Sequence, residues 1–208
     1  MTTLTNYQIY DLLNRPRPLW LVKIDLSETS LWHANLSDCD LSFANLTKTD
    51  LSWSNLMEAR LNEANLTQSN LYEARMGLAN LSGANLTRAN LTRAEIGKAD
   101  LLEAVLTEAN LTRAILSKSN LVRANLVGAD LTRADLSKAD LSGANLNGAR
   151  LPLANLFEAN LTGADLRGVD FSQADLTGVN LTGARLDGSK VDGAILKDTI
   201  MPDGTKRA

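Results

Sequence analysis

A leucine returns every five residues from Leu21 to Leu196, and the interval never slips. The position departs from leucine only at Met76, Ile96, Phe171 and Val191, all of them apolar. An α-helix advances about 100° per residue, so leucines five apart would land about 140° from one another and spiral round the surface without forming one apolar face. A flat strand alternates with period two, which sends odd-spaced leucines to opposite sides. The remaining solution is a chain that bends through a fixed angle at every repeat, so that each leucine points into one shared interior. Repetition of this kind has to be settled before any local reading.

A second inward position supports the coil. Two places before leucine stand Ala34, Ala44, Ala59, Ala64, Ala74, Ala79 and Ala84, and the exceptions Cys39, Thr49, Ser54, Ser69 and Ser119 are small as well. One large and one small residue per side fill a narrow interior without overpacking. The outward positions report how many repeats close one coil. Arg93, Arg113 and Arg133 recur at twenty, as do Lys98, Lys118 and Lys138, and Thr92, Thr112 and Thr132. Twenty residues are four repeats, so a square cross-section is expected, with about nine coils from Leu21 to Ile200. At a coil spacing of about 4.8 Å the rod would be on the order of 40 Å long.

The motif A(D/N)LXX, as in Ala84-Asn85-Leu86-Thr87-Arg88 or Ala134-Asp135-Leu136-Ser137-Lys138, resembles the pentapeptide-repeat family. The resemblance implies an all-β fold, a right-handed quadrilateral β-helix, and it speaks to fold far more than to function. The closing MPDGT is similar to the ending of cyanobacterial members. Three stretches follow: 1–20, a capping segment with a short helix; 21–200, the β-helix; and 201–208, a turn and tail. In the first, Thr5 or Asn6 would cap a helix through Tyr7, Ile9, Tyr10, Leu12 and Leu13, stopped by Pro16 and Pro18. That helix, with Trp20, is expected to plug an otherwise open coil end. The tail Lys206-Arg207-Ala208 is expected to fray.

The Asn or Asp before most leucines can bond its own backbone through an Asx turn, so Asn65, Asn85, Asn125, Asn145 and Asp165 read as a ladder that helps close the corners. Glycines at the second place after leucine, from Gly143 to Gly193, suit a turn needing positive φ and leave the C-terminal half smooth.

Chemistry is sparse. His33 is the single histidine and Cys39, in an inward slot, the single cysteine, so neither a histidine triad nor a disulfide framework is expected. No phosphate-cradling glycine motif is present, and an interior filled with leucine leaves no pocket. We expect no enzyme, no cofactor and no metal. The net charge of −3 argues against a nucleic-acid binder, and nothing reads as a signal peptide or membrane span. A cytoplasmic monomer that meets a protein partner is the expectation.

Two groups of outward residues are candidate contacts. Trp32, Trp53 and Tyr72 lie in the first coils, where they either anchor an interface or are covered by the N-terminal segment. Arg93, Arg113 and Arg133, with Lys98, Lys118 and Lys138 on the next side, form basic stripes that are either solvated or a dock for an acidic partner. The resemblance implies two further models: relatives that influence cyanobacterial cell differentiation through protein contacts, and DNA mimics that modulate type II topoisomerase (gyrase). The second needs an acidic, duplex-width rod, and this chain's basic middle departs from it. A scaffold with no specific partner is the third reading.

Overall fold

The computed structural model describes residues 6–16 and 18–207. Its backbone pairs residue i with residue i + 20 throughout, from Trp20 with Asp40 to Asn180 with Ile200, always in parallel. Four pentapeptides therefore make one coil, as the spacing of the arginines and lysines requires. Each contact is a single bridge at the residue before leucine, and a turn occupies the two residues after it.

One repeat accounts for all of its amide donors. The Leu81 N–H donates to the Asp100 carbonyl of the next coil at 2.6 Å, and the Gly83 N–H to Leu102 at 2.9 Å. The Asn85 N–H reaches back to Ala64 at 2.9 Å, and the Ala84 N–H closes the turn on the Leu81 carbonyl at 3.0 Å. The fifth donor, the Ser82 N–H, bonds the Asn80 Oδ1 at 3.0 Å. The Asx side chain thus satisfies the one backbone group that the ladder leaves out. Its amide then extends the column, as where Asn70 Nδ2 donates to Asp50 and Asn90 Nδ2 to Asn70.

Both prolines inside the repeat obey this accounting. Pro152 and Pro202 stand in the slot whose N–H the Asx would accept, and the residues two places earlier are Arg150 and Ile200, not Asx. A proline offers no N–H there, so no acceptor is needed, and its fixed φ suits the first central residue of the turn. The second central residue has positive φ at every turn from Lys23 to Asp198. With an i to i + 3 bond, that is the type II turn, here occupied repeatedly by arginine, lysine and glutamate in spite of the preference for glycine.

The interior is a column of fully buried leucines flanked by alanines, with Phe171 the largest side chain enclosed. Cys39 is buried in it. The polar residues in alanine slots donate to nearby carbonyls: Ser54 to Leu51, Ser119 to Leu116, Thr49 to Leu26 and Thr199 to Leu176. Ser69 is the exception, with a buried hydroxyl and no partner.

At the N-terminus, helix α1 spans Asn6–Leu13. Ile9 is buried, and Leu12 and Leu13 pack against the core. Thr5, the alternative cap, lies outside the described residues. Trp20 departs from expectation: it is 74% exposed, and Leu19 is buried in its place. The repeat register explains this, since 19 is a small-residue inward slot and 20 an outward one, and the Leu19 carbonyl already accepts from Asp40. The tail also departs from expectation. Lys206 bridges Ile200 in antiparallel fashion, the Arg207 N–H donates to Thr199, and Lys206 Nζ lies 2.8 Å from Asp198. Residues 206 and 207 are therefore held against the last coil.

Two outcomes follow from these bonds. Replacing Ser69 with alanine removes an unsatisfied buried hydroxyl, so thermal or urea unfolding should show unchanged stability or a gain of up to about 1 kcal/mol, whereas Ser119→Ala should lose about 1 kcal/mol. The carboxyls of Asp25 and Asp170 are held below the usual aspartate range, first by the hydroxyl and then by the amide of Ser27 and Ser172 respectively. Asp165 is lowered from 3.8 to about 2, chiefly by its hydrogen bond from Arg167. A depressed folded pKa adds stability above the unfolded value that is lost as pH falls through the folded one. The melting temperature should therefore hold down to about pH 4 and decline from there toward about pH 2. Asp165→Asn should shrink that acid-side decline in a pH series of melts.

Candidate functional site: one outer face of the rod

Registration at twenty brings the two groups of candidate residues onto a single face. Inter-coil amide bonds run along it in succession: His33 to Ser52, Trp53 to Tyr72, Glu73 to Thr92, Arg93 to Thr112, Arg113 to Thr132 and Arg133 to Pro152. Trp32, Trp53, Tyr72, Arg93, Arg113 and Arg133 therefore follow one another along this side. Lys98, Lys118 and Lys138 climb the next side, where their amides bond Ser117, Ser137 and Phe157.

The N-terminal third of the face is an aromatic ladder. Trp32 meets His33 edge-on at 4.1 Å between centroids, His33 stacks on Trp53 at 5.9 Å, and Trp53 meets Tyr72 at 5.8 Å. Trp32 is 58% exposed and Trp53 46%, so the described part of the N-terminal segment does not cover them. Rings held by their neighbours at this level of exposure present rigid apolar area to solvent.

The middle third is basic. Arg93 is neutralised within the chain, with Nη1 2.9 Å from Glu73, and that contact holds the Glu73 carboxyl below its usual range while raising the Arg93 guanidinium. Interaction with Glu73 also pushes the Tyr72 phenol up. Lys138 is likewise tied, to Glu158 at 3.3 Å and over the Phe157 ring at 5.9 Å. Among the described residues Arg113, Arg133, Lys98 and Lys118 have no acidic partner. Pairing is the rule on the remaining sides, where Arg88 meets Glu108 at 2.7 Å, Arg123 meets Glu103 at 2.6 Å and Lys48 meets Glu28 at 3.0 Å. Composition alone missed these pairs. The spacing of twenty that revealed like residues also locates every one of these opposite charges.

A shallow groove of about 530 Å³ runs between the threonine and arginine columns. Its floor is Thr92, Thr112 and Thr132, its wall Arg93, Arg113 and Arg133; Tyr72 closes one end, Pro152 and Leu153 the other. The Thr92 and Thr132 hydroxyls donate to Asn90 and Asp130. The amide of Thr112 bonds Asn110, and among the described residues its hydroxyl has no hydrogen-bond partner. Among the described residues no cluster of histidine, cysteine or carboxylates has the arrangement of a metal site. No helix among them is long and apolar enough to cross a membrane.

The repeat itself has counterparts in known proteins. The family model of pentapeptide repeats matches in eight copies, over residues 24–62, 59–95, 84–121, 114–151 and 154–198. The chain belongs to the pentapeptide-repeat family. No curated protein matches it. Among solved structures it is similar to HetL, a pentapeptide-repeat protein involved in heterocyst differentiation regulation in the cyanobacterium Nostoc sp. strain PCC 7120, at 35% identity over 100% of both chains with a TM-score of 0.34. It is also similar to QnrB1, a plasmid-mediated fluoroquinolone resistance protein, at 21% identity over 79% of this chain and 92% of that one with a TM-score of 0.62. A trypsin-treated form of QnrB1 gives 21% identity over 85% and 92%, with a TM-score of 0.67. The family and the QnrB1 likeness together make the fold of this pentapeptide-repeat protein a right-handed β-helix.

Proposed function

We propose that this pentapeptide-repeat protein is a non-enzymatic, protein-binding rod, and that the face carrying Trp32, Trp53, Tyr72, Arg93, Arg113 and Arg133 is its contact surface. One observation supports this above the rest. Exposed stacked aromatics and unpaired cations adjoin on the same side, while the one arginine on the opposite side, Arg123, is paired with Glu103. Aromatic residues and arginine are the side chains that concentrate binding energy at protein interfaces. The 35% sequence identity to HetL, a protein involved in heterocyst differentiation regulation, fits an interaction role without naming a partner.

Helix α1 and the folded-back tail act as end caps of a monomeric coil of about nine turns, which shields edge amides from further pairing. A single buried thiol suits the reducing cytoplasm. The alternative, a duplex mimic acting on type II topoisomerase, needs rows of carboxylates. The face described here carries the reverse charge, so micromolar protein should leave gyrase supercoiling unaltered.

Affinity capture from extract of the source cells tests the docking face. Partners held by the native chain should be lost with Trp53→Ala combined with Arg113→Glu and Arg133→Glu. They should be kept with Arg123→Glu, which lies on the opposite side. Capture indifferent to the triple change would remove this face from consideration.

A further inference from the structure

We propose that the groove over Thr112 and Arg113 binds an extended acidic segment of a partner protein, about seven residues long, with an apolar residue at each end. This deepens the docking reading above and rests on it.

The lining of the groove specifies that chemistry. None of its residues is acidic, and among the described residues two of its three arginines, Arg113 and Arg133, have no acidic partner. Beside Arg113 the Thr112 hydroxyl, which has no hydrogen-bond partner among the described residues, also lines the groove. The ends are of another character, since Tyr72 and the pair Pro152 and Leu153 are apolar walls, and Leu153 is 44% exposed.

The dimensions match one extended strand. Tyr72 and Pro152 are four coils apart, about 19 Å at a coil spacing of about 4.8 Å. Seven extended residues take six steps of about 3.3 Å, or about 20 Å. Alternate side chains face the groove, so the first residue lies on Tyr72 and the seventh on Leu153. The third and fifth then fall about 7 and 13 Å along, on either side of Arg113 and short of Arg133. The pattern read from the groove is apolar, any, acidic, any, acidic, any, apolar. Carboxylates fit the guanidinium fork in pairs, which fixes position as well as charge. A duplex nucleic acid is poorly served here: two apolar ends offer nothing to phosphates, and a chain of net charge −3 repels a polyanion beyond the groove.

The test uses the full chain and a fluorescein-labelled peptide, Leu-Ser-Glu-Ser-Glu-Ser-Leu, read by fluorescence anisotropy. Saturable binding that weakens with added salt is expected. Arg113→Glu with Arg133→Glu should weaken it by about ten-fold or more. Arg113→Gly with Arg133→Gly should also weaken it; this pair removes side chains from positive-φ slots and so guards against loss by misfolding. Lys98→Glu with Lys118→Glu, on the next side, should leave affinity within about two-fold. A peptide with lysine in place of both glutamates should not bind. Absence of saturable binding, binding indifferent to the arginine variants, or tighter binding of a short duplex DNA than of the peptide would each overturn the proposal. If the peptide fails while the same arginine changes still abolish partner capture, only the acidic-segment inference falls. If neither responds, the docking face falls with it.

Discussion

Everything in this molecule depends on the amide bond from each leucine position to the next coil, 2.6 to 2.9 Å long from Leu21 to Leu181. That bond sets the twenty-residue register. The register in turn places leucine inside, closes each corner and stacks every outward position over its equivalent. A parallel ladder of single bridges would be weak anywhere along its length were it not continuous. Where an Asx precedes the leucine, the turn bond and that side chain leave no donor of the repeat idle; Arg60, Arg75, Glu95, Val105 and Ile115 interrupt that pattern, and stability is passed between neighbouring coils. The requirements fall on the leucine, the small residue and the Asx. The two turn residues are left free to vary, and function has only those columns and the Asx column to write on.

The turn residue with positive φ is the more revealing of the two. A non-glycine side chain there costs on the order of 1 kcal/mol relative to glycine. From Gly143 to Gly193 the chain mostly takes glycine. Between Arg88 and Lys138 it mostly takes arginine, lysine or glutamate at the same φ. Some of that strain is offset by ion pairs between coils, as at Arg88 and Arg123. Among the described residues Arg113 and Arg133 have no such pair, and their stacking adds like-charge repulsion of roughly 1 kcal/mol or less in water.

Much of this was legible from the chain alone. Period five excluded helix and flat strand, and Arg93, Arg113 and Arg133 revealed the four-repeat coil, because a stacked column shows up directly as a sequence spacing. The Asx turn was legible from its chemistry. What escaped were the places where one rule gave way to another. Trp20 was read as a plug because it is large and apolar, yet the register already ran through it and turned it outward. The tail is expected to fray as a chain terminus, whereas the Arg207 amide bonds Thr199 of the last coil and Lys206 finds Asp198. The ion pairs obey the same spacing with the sign reversed, as Glu73 with Arg93, so a pattern of like residues at twenty does not display them.

Exposure alone does not separate a docking face from a solvated one, since charged side chains cover any soluble rod. The pairing pattern is the stronger discriminator. A guanidinium bonded to a glutamate one coil away has to break that contact before it can serve a partner, and the break offsets most of what a surface ion pair returns. Arg113 and Arg133 carry no such penalty, and neither does the Thr112 hydroxyl beside them. The aromatic rings toward the N-terminus are held by one another before any partner arrives, so little ordering entropy remains to be lost on contact. Under the proposed docking role, both halves of the face would be prearranged, the arginines by the absence of intramolecular partners among the described residues and the rings by their presence.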